Sequence, residues 1–265
     1  MLGCVSSDLF VDERPGREPA TVWLHHGVGS TRAWAAYLPA AADGRRAIVY
    51  DRRGFGRSPR GRAFTPAMFD EDARDLEALL EERASAPVHL VGHSDGGTVA
   101  LLVASRRPEL VRSVCVIATH VRGDEITIGT LREFGPPARW PEQGRRALMR
   151  DHGDDWERVG RGWHALWTST EWESWSVVDE LDGVGCPVLT VHDKRDPLSP
   201  PVHAETIVER VPHARALWLD TGDHDPQRKE RAAFMRQLHA LWRDAEGAPD
   251  VTPSGAASSG RTPRR

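Results

Sequence analysis

Ser94, Asp196 and His224 are the residues of this 265-residue sequence whose types and order can make a nucleophile. A serine hydroxyl attacks a carbonyl only when a base removes its proton, and an imidazole does so efficiently when a carboxylate holds its far nitrogen. Ser94 lies in Gly92-His93-Ser94-Asp95-Gly96, which fits the G-x-S-x-G pattern of a strained strand-to-helix turn. Asp196 follows in "KRDPLSPP" and His224 in "TGDHDP". Asp193 sits closer to its apolar run, and His213 precedes rather than follows the last one. The order Ser, Asp, His together with a loop position just beyond a strand end therefore favours Asp196 and His224.

Such a site needs two N–H donors for the oxyanion of a tetrahedral intermediate. One is expected from the backbone of Asp95, the residue after the serine. The other is expected from "HHGVGS", at Val28. That glycine loop lacks the third glycine of a dinucleotide fingerprint and the Gly-Lys pair of a phosphate loop, so a phosphate cradle is disfavoured. The clusters "HDKRD" and "GDHD" match no common zinc spacing, and neither a metal nor another cofactor is expected.

These residues must be positioned by a sheet. Short apolar runs at 21–26, 47–51, 88–93, 113–119, 187–193 and 214–220 alternate with helical patterns, the layout of a mostly parallel sheet covered on both faces. A helix is expected from Thr65 as cap and Pro66 at its first position, with Leu76, Leu79 and Leu80 on its buried face. Ser94, Asp196 and His224 all fall just beyond strand ends, at the carboxyl edge where open α/β sheets bind ligands. Alternation stops for residues 121–182, which read as helical pieces. They hold Trp140, Trp156, Trp163, Trp167, Trp172 and Trp175, and 13 acidic residues against 8 basic ones. The expected organisation is a core of 1–120 and 183–245, a cap of 121–182 and a disordered tail of 246–265, the last because its small polar residues bury little surface.

Composition narrows the function. A net charge of −4, with 33 Arg and 2 Lys scattered among 39 acids, argues against a nucleic-acid partner. No apolar run approaches the roughly 20 residues that cross a bilayer, so no membrane partner is expected. Cys4, Cys115 and Cys186 are odd in number and far apart, which fits reduced thiols in the cytoplasm.

"HHGVGS", "DRRGFGRS", "GHSDGG", "KRDPLSP" and "GDHD" occur in the order and spacing of the α/β-hydrolase fold family. Across residues 8–243 the chain resembles that family, and within it the valacyclovir hydrolase (biphenyl hydrolase-like) group. The resemblance implies an eight-stranded, mostly parallel sheet with a helical cap inserted after the sixth strand. It also implies a Ser94–Asp196–His224 triad and cofactor-free hydrolysis of a small-molecule ester or amide. The sequence departs from the pattern at Asp193, where glycine is usual, and at an amino terminus that is one strand short.

The leading reading is a serine hydrolase of small carboxylic esters working through an acyl-enzyme. A thioesterase, lactonase or C–C bond hydrolase would use the same groups, and a non-catalytic binding protein could use the same scaffold. The Asp95 carboxylate has two explanations. It begins a helix, where a negative charge is favoured. As a substrate contact at the mouth of the acyl pocket, it would hold the ammonium of an α-amino acid ester, a role the resemblance also implies. The arginines of "DRRGFGRS" are expected to pair with acids and brace their loop.

Overall fold

A computed structural model describes residues 8–247. Its seven strands are β1 (Val11–Arg14), β2 (Arg17–Leu24), β3 (Arg45–Tyr50), β4 (Val88–His93), β5 (Val111–Ile117), β6 (Val188–Asp193) and β7 (Ala214–Leu219). They form one sheet in the order β1-β3-β2-β4-β5-β6-β7, parallel except for β1, which runs antiparallel to β3.

Alternate residues of each central strand enter different cores. Val22 and Leu24 of β2, Leu90 of β4 and Val114 and Val116 of β5 pack on one face, together with α2 (Met68–Arg83) and α3 (Asp95–Arg106). Trp23, Val91, Cys115 and Ile117 face the opposite side, against α1 (Leu38–Ala41) and Phe234, Leu238 and Trp242 of the closing helix. Each strand reads as a continuous apolar run because both its faces are covered.

Between β5 and β6 the chain forms α4 (Glu125–Phe134), α5 (Glu142–His152), α6 (Trp156–Trp167) and α7 (Thr170–Glu173). Its tryptophans build much of its own interior: Trp167 and Trp172 lie 4.2 Å apart between centroids, and Trp172 stacks on Trp175 at 4.2 Å. The chain then returns through α8 (Val202–Arg210), α9 (Pro226–Lys229) and α10 (Arg231–Gly247).

Three expectations change. The helical insertion follows the fifth of seven described strands, not the sixth of eight, because one antiparallel strand precedes β2. α10 continues through Gly247, two residues into the expected tail, and its Glu246 forms an ion pair with Arg45 at 2.5 Å. The remaining tail residues, 248–265, lie outside the described residues, as does Cys4. Thr65 and Pro66 do not start α2; its first residue is Met68, whose N–H bonds the Thr65 carbonyl at 3.0 Å, so the proline belongs to the preceding turn.

Backbone crowding at the β4–α3 junction has a measurable consequence. A Cβ on Gly92 would stand 2.4 Å from the Gly96 carbonyl oxygen, whereas one on Gly129, inside α4, would meet nothing within 4 Å. Gly92→Ala is expected to lower stability to denaturant by about 1–3 kcal/mol or more. Gly129→Ala is expected to raise it by about 0.5–1 kcal/mol. Urea midpoints of the two variants check the contrast.

Candidate active site

The junction of β4 and α3 forces Ser94 into an unusual conformation, with φ of 53° and ψ of −122°. A non-glycine residue is held there only when its surroundings over-determine it. Here they do: Gly92 and Gly96 lie too close for side chains, and Gly96 packs where a Cβ would be 2.6 Å from the His25 carbonyl oxygen. The same contact brings the loop after β2 beside Ser94. α3 begins at the next residue, so its first free N–H groups and positive dipole end lie at the serine.

Ser94, His224 and Asp196 are brought together. The Ser94 hydroxyl is 3.1 Å from His224 Nε2, and His224 Nδ1 donates to Asp196 Oδ2 at 2.7 Å. Asp196 Oδ1 accepts the Leu198 N–H at 2.8 Å, and His93 Nε2 bonds the His224 carbonyl at 2.8 Å, fixing the histidine loop from below. Burial pulls the His224 pKa down, but the charge and hydrogen bond of Asp196 outweigh it and leave the imidazole above its ordinary value. Burial raises the Asp196 pKa, while His224 and the Leu198 N–H outweigh it, so this carboxyl stays below its usual range.

Asp193 does different work. Its carboxylate accepts the N–H groups of Arg195 at 2.8 Å, Gly222 at 3.0 Å and Thr221, tying the ends of β6 and β7 together beneath the loops that carry Asp196 and His224. The carboxylate at this glycine position is thus consumed by backbone.

Val28 sits in a turn closed by the Gly29 N–H on the His26 carbonyl at 3.0 Å. Two histidines brace this loop. His25 Nδ1 donates to the His26 carbonyl at 2.8 Å, and His152, from the end of α5, donates through Nε2 to the Val28 carbonyl at 3.0 Å. The His152 Nδ1 accepts the Gly56 N–H at 2.9 Å, and burial keeps both imidazoles below their ordinary pKa. The His152 brace was not legible in the sequence, since that residue is 124 positions from the carbonyl it holds.

The Asp95 side chain does not stand at the mouth of the pocket. It is completely buried, with Oδ2 taking the Trp163 indole N–H at 3.2 Å and Arg52 at 3.8 Å. Gly27 permits this contact, because a Cβ there would be 2.1 Å from Trp163 Nε1. Burial raises the Asp95 pKa to about 6, against the opposing pull of Arg52. A cation is therefore already in place behind Asp95, and the indole covers it from the front. Arg52 also pairs with buried Asp72 at 2.8 Å, and Arg62 reaches the same carboxylate from the other side. Arg53 pairs with Asp75 at 2.9 Å and Asp8 at 3.1 Å, so these two arginines brace their loop as expected, although Arg52 does so in the interior.

Above Ser94 and His224 opens a cleft of about 1030 Å³ between the sheet edge and the insertion, with Val28, Leu131, Trp140, Trp163 and Trp167 among its walls. Of the six insertion tryptophans, these three face the cleft, while Trp172 and Trp175 pack on Phe69 beneath. No group of side chains among the described residues has the makings of a metal site, and no described helix is long and apolar enough to cross a membrane.

A nucleophile elbow at the carboxyl edge of a parallel sheet, roofed by inserted helices, defines a class, and comparison with known proteins agrees with it. Residues 20–156 match the model of the alpha/beta hydrolase fold family, and the chain belongs to that family and is a hydrolase. Among its relatives, a protein provisionally named carbamate hydrolase RutD from Variovorax paradoxus (strain S110) is 40% identical over 82% of this chain and 89% of its own length. Serine hydrolase BPHL of Mus musculus is 28% identical over 67% of this chain, and the match spans 62% of that relative. The serine hydrolase CCSP0084 from Cycloclasticus zankles superposes with a TM-score of 0.73 at 20% identity, over 94% of this chain and 98% of that one.

Removing Arg52 would leave Asp72 and Asp95 buried with less compensation, and breaking such a pair typically costs about 3–5 kcal/mol. Arg52→Ala is expected to lose stability in that range at pH 7.5. The loss should shrink at pH 5.5, because Asp95 then takes up a proton and its uncompensated charge disappears. Urea unfolding at the two pH values measures both effects.

Proposed function

We propose that this protein is a serine hydrolase of small carboxylic esters that works through an acyl-enzyme on Ser94. The observation that supports this reading most is the unbroken hydrogen-bonded chain from Ser94 Oγ through His224 to Asp196, at 3.1 and 2.7 Å, opening on a cleft walled in part by Leu131, Trp140, Trp163 and Trp167. His224 Nε2 takes the Ser94 proton as the oxygen attacks the ester carbonyl. The oxyanion is held by the Val28 and Asp95 N–H groups. The tetrahedral intermediate collapses, and protonated His224 gives its proton to the departing alcohol. Water then repeats the sequence on the acyl-enzyme, with its proton passing to His224 and on to Ser94, releasing the acid. Asp196 holds the imidazole in the tautomer with its proton on Nδ1. Residues 121–182 act as the cap that shields this chemistry from bulk water, on a core formed by the described residues of 1–120 and by 183–245. Buried Cys115 and half-buried Cys186, both free thiols, fit a cytoplasmic setting.

A second reading is favoured by the RutD relative: a carbamate in place of the ester. The site's chemistry serves either carbonyl, and the kcat/KM ratio for an alkyl carbamate and an acetate of the same alcohol separates them.

An active-site-directed fluorophosphonate should label the wild type and leave Ser94→Ala unlabelled, as read by intact-protein mass spectrometry. Labelling of both to the same extent would remove Ser94 as the nucleophile.

The acid limb of kcat/KM reports the base in the free enzyme. Only neutral His224 can accept the Ser94 proton, and its pKa is raised, so activity should climb with pH through a midpoint above the ordinary imidazole value of about 6.5. Asp196→Asn removes the group that raises it. That variant should lose on the order of 10⁴ in kcat and shift the limb to lower pH.

A further inference from the structure

A second, polar cavity of about 210 Å³ lies beside the main cleft, walled by the loops 30–32 and 51–60 and by the end of α5. Arg32, Arg150 and Asp151 line both spaces, so the two share a wall. Four arginines, Arg32, Arg57, Arg60 and Arg150, face this small volume against only two carboxylates, Asp51 and Asp151.

Both carboxylates are occupied. Asp51 is 1% exposed, accepts the N–H groups of Thr31 at 2.5 Å and Arg57 at 2.8 Å, and pairs with the Arg57 guanidinium at 3.9 Å. Asp151 is taken by Arg150 Nε at 2.9 Å. His152 adds no charge, because it donates through Nε2 to Val28 and accepts through Nδ1 from Gly56. Among the described residues, neither Arg32 nor Arg60 has an ion-pair partner. The Arg57 guanidinium is held in place, 3.3 Å above the centre of the Phe10 ring and 3.3 Å from the Thr31 hydroxyl. A surface arginine normally spends its donors on water; here several converge on one cavity with an excess of positive charge, an arrangement suited to two-pronged recognition of a carboxylate or phosphate.

Resting on the ester-hydrolase reading above, we propose that this cavity is an anion subsite and that the substrate is an ester carrying a carboxylate or phosphate several bonds from the scissile carbonyl. The apolar cleft takes the body of the molecule, and Arg32 and Arg60 take its charged end. His152 links the subsite to the turn carrying Val28, so the charged end is read beside the reacting carbonyl.

Two matched pairs test this at low salt. Monoethyl adipate and the ethyl ester of adipic acid monoamide place the charge on the acyl side. The hexanoates of 3-phosphooxypropanol and of 1,3-propanediol place it on the alcohol side. Wild type is expected to prefer the anionic member of at least one pair by about tenfold or more in kcat/KM, and the preferred pair tells which end enters the cavity. The preference should fall several-fold in 0.5 M NaCl. Arg32→Glu with Arg60→Glu should remove it, so that each anionic member reacts no faster than its neutral counterpart, whereas Arg231→Glu, on another part of the cleft rim, should keep it. Hydrolysis of the neutral esters with no anion preference in either pair would overturn the subsite and leave the esterase reading standing. Failure on every ester, with no fluorophosphonate adduct on Ser94, would instead overturn the esterase reading. Inorganic phosphate titrated calorimetrically into Ser94→Ala provides a readout without turnover: heat of binding that disappears in the Arg32→Glu, Arg60→Glu background is expected, and its absence from the parent counts against the subsite.

Discussion

The contact on which the rest of this molecule depends is backbone against backbone, where α3 turns sharply out of β4. Ser94 at a φ of 53° is a conformation most residues avoid, and it survives because Gly92 and Gly96 leave room for the carbonyls that crowd it. Once that turn is made, three things follow without further design. The hydroxyl stands clear of the sheet edge, the free N–H groups of a helix point at it, and the loop after β2 is drawn alongside. Strain at one residue is thus exchanged for the position of a whole site.

The loops that meet the hydroxyl are held by polar groups buried beneath them. Asp193 gathers three backbone N–H groups and joins the ends of β6 and β7, so that Asp196 and His224 approach from a common base. Histidines 25 and 152 hold the carbonyls of His26 and Val28 in the loop after β2. Under the elbow, Arg62, Asp72, Arg52 and Asp95 form a run of alternating charges ending on the Trp163 indole. Such buried charges are costly when isolated and tolerable when each is paired, so the run behaves as one unit. Because Trp163 belongs to the insertion and Asp95 to the elbow, it also couples the roof of the cleft to its floor.

That coupling gives Asp95 a role its position in the motif conceals. A carboxylate after the nucleophile invites a substrate cation, yet the structure places a guanidinium behind it and an indole across it. The charge is therefore taken up inside the protein, while four arginines line the cavity between the loop 51–60 and α5 and four line the main cleft, Arg32 and Arg150 being common to both. Which charges remain unpaired after folding is decided by their partners in three dimensions, not by their place in a motif.

By itself the sequence determined the class of fold, because a sheet buried on both faces requires continuous apolar runs, and those runs are visible at 88–93 and 187–193. It also determined Ser94, Asp196 and His224 as candidates: the elbow needs glycines at fixed offsets, and the partners must follow strand ends in chain order. The short edge strand β1 escaped because Val11–Arg14 carries three charged residues and packs only one way. The start of α2 was misplaced because a turn uses Thr65 and Pro66 as readily as a helix does. Tertiary structure alone decided the pairing of Arg52 with Asp72 and Asp95, the brace from His152 to Val28, and which tryptophans face the cleft. Each is a contact between segments dozens of residues apart, and no local spacing encodes which of 33 arginines ends up buried between two acids and which is left with an open guanidinium.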